Sequence, residues 1–488
     1  MSLNLVRKNI YFKPDAKRVL ARYFGLSEER SMKVVQRVLD LDSITLNNTL
    51  QQVLRNFTRR HRSVVSIFEK NFKRTKPIID KMNLKEGEIS YKEKLLIGAY
   101  FTMEYSIEAA AFFFFSFVED LDQTQLKENE KRLILSFRAT GEGHISSIVF
   151  RTAVIDEHLN IHVDVPGPLL EKPKQFKNFR YEKERFLEKL AQIHNPEEDM
   201  FQIIHNKLPD SFIYEELRRF VTEIKEENQL SPDSETLISQ IMWLASSHYD
   251  ITFSMDTALS ERVIFPVSDT EKRGIEDARF VRFTDDKGKL MYYATYTAYD
   301  GFTTMPKLLA TRDFIHFEVL PINGKIANTG AALFPRKVNG KYAMLCRVDG
   351  ENNYISFSDN ITNWQHDITL LREPEDPWEF IQLGNCGSPI ETEKGWLVLT
   401  HSVGPMREYT ISASLLDLHN PTKVIGKLKS PLIYPSSEER EGYVPNVVYS
   451  CGQIVHNGHL IIPYAMSDYA STYATINLEE LLAELVGS

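Results

Sequence analysis

A turn followed directly by a short strand recurs along this chain, and that repeat limits the fold more than any other feature. The glycines of four such units lie 52, 55 and 63 residues apart: Gly288, Gly340, Gly395 and Gly458. A related turn at residues 129–133 precedes the predicted strand Ile134–Phe137. Units of about 40–50 residues with several strands each are typical of β-propeller blades. Five units therefore predict a mainly β protein built on a five-bladed β-propeller.

The N-terminal region departs from this β pattern. Residues 1–80 contain 17 Lys and Arg against 7 Asp and Glu, and their apolar residues recur at helical spacing. We expect one short helix that starts after Ser27 and one longer amphipathic helix from Leu46 to Phe72. This region carries +10 while the remaining 408 residues carry −19, so we expect its basic helices to dock on the acidic propeller or on another subunit. Nucleic-acid binding is the weaker alternative.

A second helical region interrupts the strands. Residues 168–250 are rich in Glu, Lys and Leu, and the pattern predicts helices over Tyr181–Ile193 and Phe212–Glu227. The sequence thus predicts four segments: a helical N-terminal module (1–95), the first part of the propeller (96–167), a helical insertion (168–250), and the remainder of the propeller with a C-terminal helix (251–488).

Composition narrows the class of protein. The net charge is −9, with 42% apolar and 26% charged residues, which excludes a disordered or fibrous chain and argues against a nucleic-acid partner. The three cysteines are far apart, so we expect neither a disulfide framework nor a structural zinc site. This cysteine usage is typical of a protein in a reducing compartment. Met1–Phe12 lacks the pattern of a secretory signal, and the longest apolar run, Ala109–Phe115, is far shorter than a membrane span. We therefore expect a cytoplasmic protein without a membrane partner.

The common nucleotide and hydrolase motifs do not occur in the sequence. It has no phosphate-binding loop, no H-E-x-x-H, no G-x-S-x-G and no dinucleotide fingerprint. The 13 histidines are scattered without the spacing of metal ligands. We therefore expect no metal site and no cofactor.

The strongest local constellation is Gly274-Ile275-Glu276-Asp277-Ala278-Arg279. Two adjacent carboxylates beside an arginine can keep one group ionised and leave the other ready to give a proton. The plainer alternative is a turn held by salt bridges. The residues by themselves leave both readings open.

This stretch resembles the Gly-Val-Glu-Asp-Pro-Arg signature of glycoside hydrolase family 130, the β-mannoside phosphorylases and mannosidases. Further stretches resemble the family in the same order, over roughly residues 96–167 and 251–480: Ala331–Pro335 with Gly340–Arg347, Pro389 with Gly395–Leu397 and His401, Leu415–Asp417, Glu441–Val448, and Tyr464–Asp468. The resemblance implies a five-bladed propeller, which agrees with the count of repeats. Residues 1–90 and 168–250 resemble the helical additions of longer members.

The resemblance also implies roles for particular residues. Asp277 matches the general acid, which protonates the glycosidic oxygen through the 3-hydroxyl of the mannosyl unit. The residues that match substrate-binding positions are Glu276, Arg279, Arg138 and Asp468, and those that match phosphate-binding positions are Arg347, His401 and Tyr409. Such a set is chemically reasonable, because phosphate prefers arginine forks and neutral donors, while sugar hydroxyls donate to carboxylates.

The chain departs from the family pattern at three places. Phe114-Phe115 stands where the family usually has Asn-Pro, which removes a polar contact at the mannosyl subsite. Thr329-Gly330 replaces a polar pair and removes one phosphate ligand, and Ala278 replaces the proline of the signature. Phe112–Phe115 is expected to form a buried strand, with one ring at the sugar site as the alternative.

The resemblance implies an inverting glycoside phosphorylase that acts on β-1,2- or β-1,4-linked mannosides with inorganic phosphate and releases α-mannose 1-phosphate. An inverting β-mannosidase is the first alternative; it would need a second carboxylate to activate water, for which Glu142 and Glu408 are the candidates. A non-catalytic carbohydrate-binding propeller is the second. The expected partners are an oligosaccharide and inorganic phosphate, with a homo-oligomer as a further expectation.

Overall fold

The computed structural model of the protein describes residues 3–177, 179–194, 198–227, 232–326, 329–364 and 367–487. Strands dominate after residue 101, while helices are concentrated before that residue, between residues 183 and 245, and at the C-terminal end. The prediction of a mainly β protein with two helical regions is confirmed at this level. Within the described ranges, no helix combines the length and the apolar character needed to cross a membrane.

The N-terminal region is a helical layer framed by short strands. Its elements, in chain order, are β1 (Val6–Arg7), β2 (Val19–Tyr23), α1 (Glu28–Leu39), α2 (Ser43–Phe57), α3 (Val64–Arg74), α4 (Lys76–Lys81), α5 (Tyr91–Tyr100) and β3 (Thr102–Ser106). The short helix predicted after Ser27 is α1, although the Ser27 side chain makes no capping hydrogen bond. Strands β2 and β3 pair with each other, so this region is not purely helical.

The single long helix predicted from Leu46 to Phe72 is wrong. The chain forms two helices, α2 and α3, with a turn between them in which Ser63 adopts a left-handed φ of 51°. Arg60 and His61 in this turn both contact the Glu104 carboxylate of β3, at 2.7 and 2.8 Å. These tertiary contacts outweigh the helical periodicity of the flanking apolar residues.

The next stretch contains the first group of long strands and then the helical insertion. Its elements are β4 (Ala111–Glu119), β5 (Lys131–Thr140), β6 (Ser146–Ile155), β7 (Ile161–Val163), β8 (Lys174–Phe176), β9 (Arg180–Glu182), α6 (Lys183–His194), α7 (Glu198–Lys207), β10 (Ser211–Ile213), α8 (Tyr214–Glu227), α9 (Pro232–Ala245), β11 (Tyr249–Thr252) and β12 (Val263–Ile264). The predicted starts of two helices, Tyr181 and Phe212, instead pair with each other across β9 and β10. Helices α6 and α8 follow these strands directly.

The remaining chain is almost entirely β. Its elements are β13 (Gly274–Thr284), β14 (Leu290–Tyr299), β15 (Thr304–Thr311), β16 (His316–Pro321), β17 (Asn323–Gly324), β18 (Ala332–Leu333), β19 (Tyr342–Cys346), β20 (Asn353–Ser358), β21 (Asn363–Trp364), β22 (Ile368–Arg372), β23 (Gln382–Asn385), β24 (Ile390–Thr392), β25 (Gly395–Val403), β26 (Tyr409–Leu416), β27 (Val424–Lys427), β28 (Val448–Tyr449), β29 (Ile454–His456), β30 (His459–Met466), β31 (Ala470–Asn477) and α10 (Leu478–Gly487).

These strands form antiparallel sheets of neighbouring chain segments. One sheet contains β18-β19-β20-β22, a second β23-β25-β26-β27 and a third β1-β31-β30-β28. The largest sheet runs β4-β5-β6-β13-β14-β15-β16-β11-β8. Its strands β6 and β13 are joined by a single parallel pair, Ser146 with Gly274, whereas the pairs on either side are long antiparallel ladders. The apolar side chains between the sheets form the core, with Phe112–Phe115 buried in β4 as predicted.

The N-terminal strand joins the two ends of the chain. β1 pairs antiparallel with β31, and Phe12 exchanges backbone hydrogen bonds of 2.8 and 3.0 Å with Ser471. The Phe12 ring packs against Phe115 and Phe137, with ring centroids 4.7 and 5.3 Å away. Phe12 is therefore part of the core of the β region.

Replacing Phe12 with Ala should lower the free energy of unfolding by about 2–4 kcal/mol, because a buried ring between two others is lost and a cavity remains. Tyr11→Ala is the matched control, since the neighbouring ring is exposed and its loss should cost less than about 0.5 kcal/mol. Urea titration of both variants measures the difference. Equal effects would show that the segment is not held in the core.

Candidate active site

A cavity of about 220 Å³ lies where several sheets meet. Its lining combines carboxylates, arginines, neutral polar groups and four ring side chains: Phe114, Arg138, Glu276, Asp277, Thr329, Gly330, Arg347, Gln382, Gly384, Asn385, His401, Arg407, Tyr409, Val444, Val447, Tyr449 and Asp468. Seven of the eight site residues predicted from the sequence belong to this set. The exception is Arg279.

One side of the cavity is a cluster of carboxylates around Arg138. The Arg138 guanidinium donates to the Glu276 carboxylate at 2.7 Å and to the Asp277 carboxylate at 3.0 Å, and its Nε donates to Ser146 Oγ at 2.9 Å. Arg138 lies in β5 and the two acids lie in β13, so the contact joins the two antiparallel halves of the largest sheet. One arginine thus orients both adjacent acids.

Asp277 reaches the cavity through a β-bulge. The register of β13 against β14 shifts between Glu276 and Arg279, and Asp277 takes a left-handed φ of 56°. A bulge leaves its extra residue unpaired and re-aims its side chain. The motif is therefore a strained part of one continuous strand, β13, and does not form a turn.

Phe114 occupies the corresponding bulge of β4. The register of β4 against β5 shifts between Phe113 and Ser116, and Phe114 has φ 50°. Its ring lies 4.4 Å from the Tyr449 ring, and Arg138 lies 5.4 Å above it. Positive φ is costly for a bulky residue. Phe114 lines the cavity, in agreement with the alternative that one ring of Phe112–Phe115 lies at the site. Phe115 packs in the core.

Arg279 lies beneath the cavity and does not line it. The residue is 2% exposed, and its guanidinium donates to Cys386 O at 2.6 Å, Asp277 O at 2.8 Å and Tyr449 Oη at 2.7 Å. Each of its three nitrogens donates to a protein oxygen, and these contacts hold the Asp277 backbone and Tyr449 in place. The assignment of Arg279 to substrate binding stays a prediction.

Asp468 completes the acidic side. It follows β30 with a left-handed φ of 53°, and its Oδ1 is buried without a hydrogen-bond partner among the described residues. Burial, to which the neighbouring Asp277 charge adds, raises the pKa of Asp468 to about 7. Burial and the Asp277 charge also raise the pKa of Glu276. This side of the cavity therefore retains a proton near neutral pH.

The opposite side carries positive and neutral groups. Arg347 donates to Gly350 O and, at 3.4 Å, to the Gln382 amide oxygen, while its buried Nε has no partner within the described residues. The Gln382 amide nitrogen donates to Tyr409 Oη at 3.5 Å. Burial lowers the pKa of Arg347, and the Arg279 charge adds to this effect. An anion bound here would offset both the burial of the Arg347 charge and its repulsion by Arg279.

His401 is neutral at this side of the cavity. It lies inside β25 rather than at a strand end, is 2% exposed, and stacks on the Tyr449 ring at 3.6 Å. Burial, followed by the Arg279 charge, holds the pKa of His401 well below its ordinary value. The Ser450 N–H donates to Nε2 at 3.0 Å, so the ring proton is on Nδ1. Nδ1 faces Gly384, where a Cβ would lie 3.7 Å away.

The two candidate bases for hydrolysis do not line the cavity. Glu142 is exposed in the turn after β5, and Tyr105 Oη donates to its backbone oxygen. Glu408 accepts a 2.8 Å hydrogen bond from Arg440. Neither carboxylate is placed to activate water in this cavity.

Sequence reasoning missed several lining residues, chiefly Tyr449, Gln382, Asn385 and Arg407. Tyr449 follows the recognised stretch Glu441–Val448 directly, so extending that stretch by one residue would have found it. Arg407 has a left-handed φ of 55° in the turn after β25, a conformation that the sequence does not signal. Among the described residues, no group of three His, Cys, Asp or Glu side chains is placed to hold a metal ion.

The raised pKa of Asp468 predicts a pH-dependent gain in stability on Asp468→Asn. A carboxyl whose folded-state pKa is above the ordinary 3.8 destabilises the fold increasingly as pH rises from about 4 to about 7. The Asn variant lacks this cost. The difference in the free energy of unfolding between the variant and the unmodified protein should therefore be roughly 1–2 kcal/mol larger near pH 8 than near pH 5. Denaturant titrations at both pH values measure it. A pH-independent difference would contradict the assignment.

The structure is a mainly β protein whose cavity is lined by Glu276, Asp277 and Asp468 together with Arg347, His401 and Tyr409. The sequence profile of glycoside hydrolase family 130, described as beta-1,4-mannooligosaccharide phosphorylase, matches residues 234–486. The chain therefore belongs to glycoside hydrolase family 130, and the resemblance inferred from its motifs is confirmed.

Individual relatives agree with this membership. A 1,2-beta-oligomannan phosphorylase of Thermoanaerobacter sp. is 34% identical over 227 residues, which are 46% of this chain and 75% of the relative. A beta-1,2-mannobiose phosphorylase of Listeria innocua is 29% identical over 231 residues, 46% of this chain and 63% of the relative. The solved structure of a Listeria innocua beta-1,2-mannobiose phosphorylase with beta-1,2-mannobiose is 21% identical, with TM-score 0.46, and covers 79% of this chain and 94% of that chain.

Proposed function

We propose that this protein is an inverting phosphorylase of β-1,2- or β-1,4-linked mannosides that releases α-mannose 1-phosphate. The observation that carries the proposal is the division of one cavity into two chemical sides. Glu276, Asp277 and Asp468 lie on one side, and Arg347, His401 and Tyr409 lie on the other. The acidic side suits a sugar and its leaving group, and the basic side suits phosphate.

In the proposed reaction, a phosphate oxygen bonds to the anomeric carbon while the bond from that carbon to the glycosidic oxygen breaks. Asp277 supplies the proton that the leaving oxygen takes up, through the 3-hydroxyl of the mannosyl unit. Arg138 orients Asp277, and Glu276 and Asp468 accept hydrogen bonds from sugar hydroxyls. Because phosphate is already an anion, this inversion requires one protein acid and no protein base.

Phosphate would be held by a positive charge and neutral donors. The unpartnered Nε of Arg347 and the Nδ1 proton of His401 both donate, and Tyr409 adds a hydroxyl. Neutral histidine donates one proton here without repelling the adjacent arginine. Thr329-Gly330 supplies no charged ligand, so we expect phosphate to bind weakly enough to saturate at millimolar concentration.

Two other functions make different demands on the site. A hydrolase needs a second carboxylate that activates water near the anomeric carbon. The two candidates from the sequence, Glu142 and Glu408, lie outside the cavity lining, and the proposal assigns the other carboxylates of the lining, Glu276 and Asp468, to sugar hydroxyls. A binding protein without activity is favoured by Phe114, which places an apolar ring where the family usually has a polar residue. The retained acid and phosphate-type residues favour the enzyme over the binding protein.

Incubation with β-1,2- and β-1,4-mannobiose, with and without inorganic phosphate, tests the proposal. Phosphate-dependent formation of α-mannose 1-phosphate is expected with at least one linkage. Free mannose formed at the same rate without phosphate would identify a hydrolase. No turnover of either mannoside would identify a binding protein.

The proposal extends to the architecture. The single pair between β6 and β13 supports division of the largest sheet into two blades, and the three further sheets supply the others of a five-bladed propeller. Pairing of β1 with β31 supports closure of the ring by the N-terminal strand. We keep four proposed units along the chain: 1–95, 96–167, 168–250 and 251–488. A cytoplasmic location and a homo-oligomer remain predictions.

A further inference from the structure

A second cavity, of about 360 Å³, separates the helical insertion from the β region; we call it the insertion cavity. It is lined by β9 and α6 on one side and by β16, Asn323 and Thr362 on the other. A smaller pocket adjoins it and shares four lining residues, Arg185, Lys189, Asn323 and Thr362. None of its lining residues belongs to the candidate active site.

The insertion cavity contains a buried cation that has no counter-ion among the described residues. Lys189 of α6 is 7% exposed, and its Nζ donates to Ile322 O at 2.8 Å. Within the described part of the chain, no carboxylate lies at salt-bridge distance from it, and burial lowers the pKa of Lys189 to about 8. An uncompensated buried charge is costly, and an anionic ligand would offset that cost.

Two further polar groups in the wall are unsatisfied. Ser247 Oγ and Asn323 Oδ1 are buried, and neither has a hydrogen-bond partner among the described residues. Buried polar atoms without partners are rare in folded proteins, since each costs free energy. Ligand hydroxyl groups are suitable partners for both, because a hydroxyl can donate to an amide oxygen and accept from a serine.

The wall also offers an aromatic surface. Phe179 is 39% exposed, and its ring stacks on His248 with centroids 3.4 Å apart. At the rim, Arg180 lies 3.5 Å from Glu216 and Arg185 lies 3.5 Å from Glu182, so these two cations are already paired. Lys189 is the buried cation of this lining, beside a ring and two hydroxyl-binding groups.

We propose that the insertion cavity binds a phosphorylated monosaccharide, with its phosphate on Lys189 and its hydroxyls on Ser247 and Asn323. The lysine ammonium binds phosphate as a point charge. The volume lies within the range of small-molecule sites and suits one sugar unit. The site would give the helical insertion a binding role separate from the candidate active site, and it does not depend on the proposed reaction.

Isothermal titration of the full chain with mannose 6-phosphate, glucose 6-phosphate and fructose 6-phosphate tests this proposal, with neutral mannose as the comparison. At least one sugar phosphate should bind, and mannose should bind at least about tenfold more weakly. Lys189→Met should weaken sugar-phosphate binding about tenfold or more. Lys183→Met is the matched control, because Lys183 lies in the same helix, pairs with Asp210 and is outside the cavity lining.

Thermal unfolding supplies a second measurement. Without ligand, Lys189→Met should raise the melting temperature, because it removes an uncompensated buried charge at similar volume. Arg347→Ala should leave sugar-phosphate binding unchanged. The proposal is wrong if no sugar phosphate binds, if Lys189→Met binds like the unmodified protein, if mannose binds equally well, or if Arg347→Ala abolishes binding, which would locate the ligand in the candidate active site.

Discussion

Replacing Asp277 with Asn should lower turnover of a natural β-mannoside by roughly 10²–10⁴-fold, the usual effect of losing a general acid. The amide cannot supply the proton that the leaving oxygen takes up. The substitution should preserve the fold, because asparagine tolerates the left-handed φ of 56° at this bulge. Its amide oxygen can also still accept the hydrogen bond that Arg138 donates to Asp277.

Two comparisons separate an acid from a structural residue. An aryl β-mannoside has a good leaving group and needs less protonation, so the variant should retain a larger share of its activity on that substrate. Glu276→Gln should cost less than Asp277→Asn on the natural substrate, because Glu276 is assigned to hydroxyl binding. Initial rates on both substrates measure these effects. An unchanged rate of Asp277→Asn on the natural mannoside would overturn the assignment.

Replacing Arg347 with Ala should raise the apparent phosphate constant by roughly ten- to a hundredfold, the effect of losing one charge-assisted contact. Arg347 is a lining cation that is linked through Gln382 to Tyr409. Its Nε is buried without a partner among the described residues, so it is available to phosphate. The constant for the mannoside should change much less, because the sugar contacts lie around Arg138.

Phosphate titrations at saturating mannoside measure this constant, with α-mannose 1-phosphate as the product. Arg312→Ala is the control, since Arg312 is exposed and lies outside the cavity lining. Omitting phosphate should stop product formation in the unmodified protein. If phosphate has no effect on the rate and Arg347→Ala behaves like the control, the phosphate site is misassigned.

The arrangement of the carboxylates could not be read from the sequence. Glu276 and Asp277 are adjacent in the chain, but Arg138, which orients both, is 138 residues away from Glu276. The family resemblance also implied that Arg279 binds substrate. The structure buries this residue under the cavity, where backbone oxygens and Tyr449 occupy its nitrogens.

Secondary structure was predicted best where the pattern was longest. The repeated turn–strand units lead into β14, β19, β25 and β30. The predicted helix from Leu46 to Phe72 failed because periodicity reports which residues face a core and not whether the chain turns between them. The break follows from Arg60 and His61 on Glu104, a contact with a strand over 40 residues further along.

Repeated turns and strand periodicity were enough to predict a mainly β protein, and the order of the motifs was enough to recognise the family and seven of the residues that line the cavity, because these are local properties of the chain. Packing established which groups meet: Phe114 beside Tyr449, neutral His401 against Ser450, and Lys189 with no counter-ion among the described residues. Proton affinities and free hydrogen-bonding groups depend on burial and on neighbours from distant segments. Packing sets those neighbours, and no local pattern encodes them.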